Sequence, residues 1–262
     1  MERKLTEAEF HDTLEYDRET LDKQAFLSKY SNMKFYSITA RSRNHVDRWL
    51  RKNCPGARAL DYCCGEGQVS LQLASHGATV VGIDISPKRV AAAGQLLADS
   101  GYTEQSTFQV MDAEQLDFSD DSFDVIVCSG VLHHLDTSKA FPELARVLKS
   151  TGKIICIEAL AYNPLIHWYR KRTPHLRTEW EKDHILTHRD LKTARKTFRG
   201  LSTRYFHLAA IAAVPFLGKP IFRHILALGN FLDDILLRIP VMRLLAWQMV
   251  FVLSSPRSPG EK

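Results

Sequence analysis

From residue 57 onward the chain alternates short apolar runs with longer amphipathic ones. The apolar runs at 57–61, 79–84, 107–111, 123–129 and 153–159 are strand-sized and rich in Val and Ile. Helix-sized segments at 67–76, 87–100 and 137–149 separate them. In the last of these, Leu144, Val147 and Leu148 form a buried stripe ahead of a Gly152 turn. Strands alternating with helices imply right-handed crossovers, so the pattern predicts a doubly wound, mostly parallel α/β sheet. A helix at 188–199 and two further strands at 201–214 and 244–254 bring the sheet to seven strands. Upstream, Thr6-Glu7-Ala8-Glu9 has the form of a capping box and predicts a short helix opening there. Residues 19–31 and 37–52 read as two more helices, the second with Ile38, Val46, Trp49 and Leu50 on its apolar side, and Pro55-Gly56 ends it. Residues 161–187 read as an insertion, and 215–243 as an unusually apolar helical block punctuated by Gly218, Pro220, Gly229 and Pro240. The tail from Ser255 reads as frayed.

Composition narrows the class. With 262 residues, 45% hydrophobic and 25% charged, the chain has room for one large α/β domain with a sizeable core. Its five cysteines, Cys54, Cys63, Cys64, Cys128 and Cys156, lie mostly in apolar runs without metal-ligand spacing, which predicts reduced thiols and a cytoplasmic protein. The N-terminus lacks the apolar stretch of a signal peptide, and no run reaches the roughly 18–20 apolar residues of a spanning helix. Charge is uneven: residues 159–262 hold 17 basic and 7 acidic side chains, whereas residues 1–158 hold 18 and 23. The basic C-terminal part predicts either an anionic partner or a solvated face.

The chemistry concentrates at one place. The strand Ala59-Leu60-Asp61 runs into Tyr62-Cys63-Cys64-Gly65-Glu66-Gly67, and the next strand ends Val80-Val81-Gly82-Ile83-Asp84. Glycines at a turn on the carboxyl edge of a parallel sheet let a ligand approach the backbone, and an acid ending the next strand suits a ribose diol. A dinucleotide needs a helix N-terminus open to pyrophosphate, whereas Glu66 adds negative charge to this turn.

Residues 57–160 resemble a class I S-adenosylmethionine-dependent methyltransferase of the small-molecule type. The resemblance rests on 60–67, on Gly82-Ile83-Asp84-Ile85-Ser86, on Asp112-Ala113-Glu114, on Ser122-Phe123-Asp124-Val125-Ile126 and on Val131-Leu132-His133-His134-Leu135. It implies a Rossmann-like fold, S-adenosylmethionine as cofactor, and a cofactor site of Asp61, Cys63, Gly65, Gly67, Asp84, Ile85, Asp112, Ala113 and Ser129. Asp61 would face the methionine ammonium, Asp84 the ribose, Asp112 the adenine amino group and the Ala113 backbone the ring. Cys63 departs from the family pattern, which usually has glycine there, so its side chain narrows the turn. It also implies one methyltransferase domain over 1–262: an N-terminal helical lid at 1–54, a cofactor core at 55–160, and acceptor-side insertions at 161–187 and 215–243.

Methyl transfer from a sulfonium chiefly needs alignment and exclusion of water; a base is needed only where the acceptor loses a proton, and no metal is required. His133 and His134 follow the fourth strand and are both candidates for that base or for a structural cap. Tyr36, Glu158, Trp168, Tyr169 and Arg170 are candidate acceptor contacts. The apolar 215–239 block fits a lipid-gripping or membrane-surface helix pair, a homodimer interface, or cover for the sheet. The expected activity is methylation of oxygen or carbon on a small lipophilic or membrane-associated acceptor, by a cytoplasmic enzyme peripheral to a membrane. Two alternatives stand beside it: an RNA methyltransferase using the basic 170–204 stretch, which carries no recognisable RNA-binding module, and a non-catalytic cofactor-binding module.

Overall fold

A computed structural model describes residues 2–257. Seven strands form one sheet: β1 (Arg58–Tyr62), β2 (Thr79–Asp84), β3 (Ser106–Val110), β4 (Phe123–Ser129), β5 (Leu148–Ala159), β6 (Phe198–Phe206) and β7 (Gln248–Pro256). Their spatial order is β3-β2-β1-β4-β5-β7-β6, with β7 antiparallel to both of its neighbours and the pairs among β1–β5 parallel. Chain order reverses between β1 and β4, and the cleft of a doubly wound sheet opens at that point, beyond the strands' carboxyl ends.

Among the described residues eleven α-helices accompany the sheet: α1 (Glu2–Thr20), α2 (Lys23–Lys29), α3 (Ala40–Asn53), α4 (Gln68–Ser75), α5 (Pro87–Asp99), α6 (Thr137–Val147), α7 (Pro164–Arg172), α8 (Glu179–Asp183), α9 (His188–Thr197), α10 (Phe222–Leu236) and α11 (Pro240–Arg243). Alternation along β4 shows why two layers are required. Val125 and Val127 join Ile155 under Leu50 of α3, Leu73 of α4 and Leu97 of α5. Ile126 and Cys128 join Ile154 and Cys156 under Phe141 of α6 and Leu191 of α9. Each central strand is apolar on both sides because both sides are covered.

Several expected elements differ. The helix expected at 137–149 ends at Val147, and Leu148 and Gly152 lie inside β5 rather than in a helix and a turn. The helix expected at 19–31 is divided between the end of α1 and α2. The capping pattern at Thr6 falls inside α1, which starts earlier because Arg3 and Lys4 are anchored to the core by Glu114 and Asp112. The strand expected at 201–214 stops at Phe206. His207 turns to φ +64°, and the buried Asp233 carboxylate accepts from the N–H groups of Leu208, Ala209 and Ala210, drawing 210–216 into a 3-10 turn. The last strand starts at Gln248, after a turn, and carries on through Ser255 and Pro256; residues 258–262 of the expected tail lie outside the described residues.

Candidate functional site

At the reversal point lies a cavity of about 540 Å3. Its floor is the turn between β1 and α4, where Cys63 (φ +63°) and Gly65 (φ +51°) are left-handed, a conformation that costs an L residue about 1–2 kcal/mol. Asp84, at the end of β2, is buried; one oxygen accepts from Gly65 N–H at 3.0 Å and the other from Ser86 N–H at 3.0 Å. The Gly65 hydrogen bond ties turn to strand, and the two bonds together fix the carboxylate at the cavity wall. Asp61 is buried beneath it, and among the described residues its side-chain partner is Ser70 Oγ, at 2.6 Å. Burial pushes its carboxyl up to about 7, helped by the nearby Asp84. Asp112 holds Glu114 N–H at 2.9 Å, and Tyr62 donates its hydroxyl to Ala113 C=O, so the loop after β3 is fixed as well.

Asp61, Cys63, Gly65, Asp84, Ile85, Asp112, Ala113 and Ser129 all line this cavity. Gly67 does not. It packs on α5, where an added Cβ would meet the Ala93 Cα at 2.9 Å, so the lack of a side chain there serves helix packing. The Cys63 thiol is pushed well up by burial and by the Asp84 charge, which keeps it protonated and makes it an apolar wall.

The residues fit S-adenosylmethionine on their own geometry. A buried carboxylate with no cationic side chain, Asp61, suits an ammonium, and Asp84 offers oxygens at the cavity wall beside a glycine turn where a Cβ is missing.

Helix α1 lies across the cavity, held there by ion pairs that the sequence reading did not foresee. Lys4 pairs with Asp112 and with Glu114, Arg18 with Glu66, Glu15 with Arg89, and Asp12 accepts from Ser86. The available signal was a stripe of polar residues at helical spacing, Lys4, Glu7, His11 and Arg18, on one face. Glu7 accepts from His134 Nδ1 at 3.0 Å and from Thr178. Burial alone would raise the Glu7 carboxyl, but these bonds outweigh it and hold it down. Among the described residues, Glu7, His11 and His134 bring potential metal-ligand atoms within 4.8 Å of one another, as do His133, His134 and Glu181; residues so far apart in sequence showed no ligand spacing.

The two histidines part company in space. His134 lines the large cavity. His133 lines a second cavity of about 80 Å3, walled by Phe35, Tyr36, Tyr169 and Trp247, with Arg170, Arg177 and Glu181. Tyr36 borders both cavities. Glu158 touches neither. It is fully sheltered and accepts from Val131 N–H and Leu132 N–H, both at 2.8 Å, and from His133 Nδ1 at 2.8 Å. Burial would lower His133, but the Glu158 carboxylate outweighs it and raises its pKa. Because an ionised carboxylate only accepts, Nδ1 donates, which leaves Nε2 as the basic nitrogen. Tyr169 donates to or accepts from Ser31 Oγ at 2.7 Å, and burial with the neighbouring Arg177 lowers Arg170 to about 10. Trp168 is turned outward, 55% exposed and covered by the Arg172 guanidinium at 4.1 Å, so it borders neither cavity. On the same helix Ile166 is buried and Tyr169 and Arg170 are half-buried, because α7 presents only one side to the protein.

Residues 60–156 match the family model described as a methyltransferase domain. The ubiquinone/menaquinone biosynthesis C-methyltransferase of Geotalea daltonii is 33% identical over 140 residues, covering 47% of this chain and 60% of that protein. The chain spans about half to three-fifths of the curated relatives it matches. Two solved structures share the fold. The phosphoethanolamine N-methyltransferase 2 of Haemonchus contortus, with phosphomonomethylethanolamine and S-adenosylhomocysteine, is 18% identical, with a TM-score of 0.60 over 95% of this chain and 60% of that one. The geranyl diphosphate C-methyltransferase of Streptomyces coelicolor, with Mg2+, geranyl-S-thiolodiphosphate and S-adenosyl-L-homocysteine, is 13% identical, with a TM-score of 0.55 over 82% of this chain and 76% of that one.

Proposed function

We propose that this chain, a class I S-adenosylmethionine-dependent methyltransferase by its 60–156 domain and its sheet, methylates oxygen or carbon of a small lipophilic or membrane-associated acceptor. The observation that carries the reading is the pair of cavities meeting at Tyr36, one fitted to the cofactor and the other aromatic-walled and holding an oriented histidine. The cofactor supplies an electrophilic methyl group. Asp61, Asp84 and Asp112 hold and orient it, and α1 closes over it to exclude water. The reacting end of the acceptor enters beside Tyr36, where His133 Nε2 takes a hydroxyl or ring proton while Glu158 holds Nδ1–H. Glu158 is then a positioning residue, and Arg170 and Tyr169 are acceptor contacts. A cavity of about 80 Å3 admits a headgroup and leaves the remainder of a lipophilic acceptor outside it. A methylated carbon is favoured by the relative in quinone biosynthesis and by the geranyl diphosphate C-methyltransferase fold.

The test is to supply purified protein with methyl-labelled S-adenosylmethionine and a cell extract, then follow the label into organic and aqueous fractions. Label in the organic phase supports the reading. Label confined to RNA or to water-soluble products assigns the basic 170–204 stretch the acceptor instead. Donor binding without any transfer leaves a binding module.

A further inference from the structure

We propose that the outward face of α10, with the arginine cleft on its flank, docks the protein on an anionic phospholipid surface. Helix α10 seats one side on the protein: Gly229 lies so close to Ala210 that a Cβ would meet its backbone at 2.8 Å, and Asp233 caps the 3-10 turn. The opposite side carries Leu228, Phe231, Leu232 and Ile235 at helical spacing, with Ile221 and Ile239 just beyond its two ends, all exposed, with Leu228 at 60% and Phe231 at 59%. Val241 and Leu244 extend the patch past α10. The helix has 15 residues and no helix of the described chain is long and apolar enough to cross a membrane, so such a face suits the interfacial plane.

Charge complementarity selects the occupant. Along the flank of α10 and α11 opens a cavity of about 490 Å3 lined by Arg41, Arg48, Arg204, Arg238 and Arg243, against only Asp233 and Asp234. Asp234 pairs with Arg41 at 2.6 Å and Asp233 caps backbone N–H groups, so the guanidiniums of Arg48, Arg204, Arg238 and Arg243 outnumber the remaining carboxylate and the cleft is cationic. Lys219 and Arg223 add charge at the other end of the helix. Guanidiniums beside an apolar stripe match phosphates above acyl chains. A nucleic acid would satisfy the arginines and leave the stripe in water. The inference deepens the proposed function, since a lipophilic acceptor is reached from a membrane. Its test is independent, because vesicle binding is read without turnover.

The full chain is sedimented with phosphatidylglycerol–phosphatidylcholine vesicles and with phosphatidylcholine alone, and donor affinity is measured on every variant. Binding to the anionic vesicles should be at least about ten-fold tighter and weaken with salt. Phe231→Ser should cost about ten-fold, and Arg204→Glu with Arg238→Glu at least about 25-fold, with donor affinity unchanged. Equal binding to both vesicles, or to neither, overturns the proposal. So does inorganic phosphate displacing the protein from anionic vesicles more than chloride at equal ionic strength, which marks a soluble-anion site. A dimer that Phe231→Ser dissolves while vesicle binding stays intact also overturns it and assigns the face to a second copy.

Discussion

His133 Nδ1 lies 2.8 Å from a Glu158 carboxylate that has no exposed surface and is pinned by two backbone N–H groups of the turn that carries the histidine. The carboxylate therefore fixes the tautomer, the ring orientation and the proton affinity of His133 together. Glu158→Gln should move the acid limb of the kcat/KM profile to lower pH, because the charge that raises His133 is gone. His133→Ala should lower kcat about 10^2- to 10^4-fold, and Glu158→Gln by less. An unmoved acid limb in Glu158→Gln shows that His133 is not the titrating base, and an unchanged rate in His133→Ala shows that the acceptor needs none.

Asp61 gives donor binding a pH dependence of known sign. Its carboxyl, pushed up to about 7 by burial, is protonated in the free protein below that pH. A bound ammonium favours the ionised form. Donor affinity should therefore rise as pH increases through about 7, with proton release on binding in calorimetry below it. The same raised pKa means that Asp61 supports folding most below the ordinary carboxylate range, and that this support is lost as pH rises through about 7. Asp61→Asn should flatten the affinity profile. A profile that persists in this variant places the titration elsewhere.

The ion pairs of α1 across the cavity predict a salt-sensitive lid. Lys4 occupies Asp112, a residue assigned to the adenine end of the cofactor, and Arg18 holds Glu66 of the glycine turn. Lys4→Ala with Arg18→Ala should speed both donor entry and release severalfold, and so should raising the ionic strength. Trp180, 4.3 Å beneath the Arg3 guanidinium of α1, provides a fluorescence signal for stopped-flow. Rates that ignore both changes show that α1 does not gate the cavity.

Local signals carried the core, and long-range contacts decided the rest. Val125 to Cys128 alternate between two apolar layers, so a continuous apolar run already implied a doubly covered strand. Asp61, Asp84 and Asp112 each stand at a strand end, and strand ends converge on one edge. The ion pairs that hold α1 over the cavity were not legible, because the partners of Lys4 and Arg18 are 108 and 48 positions away and no local pattern encodes them. Nor was the early end of β6, which is set by a carboxylate at 233 reaching the backbone at 208–210. The two histidines were adjacent in sequence and became distinct only when a turn sent one toward Glu7 and the other toward Glu158.

The two glycines of the turn should separate stability from binding. At Gly65 the closest atom to an added Cβ is the Arg89 guanidinium at 4.0 Å, and the residue faces the cofactor cavity. At Gly67 the Cβ would meet backbone and side chain of Ala93 at 2.9 Å, with φ at +83°. Gly65→Ala should keep most of the stability, losing about 1 kcal/mol to its left-handed φ, and weaken the donor at least about ten-fold by filling its path. Gly67→Ala should cost about 2–4 kcal/mol, since left-handed strain adds to overpacking between α4 and α5. Thermal unfolding and donor titration on both variants decide the matter. A Gly67→Ala protein of unaltered stability and lost donor affinity would return Gly67 to the cofactor wall.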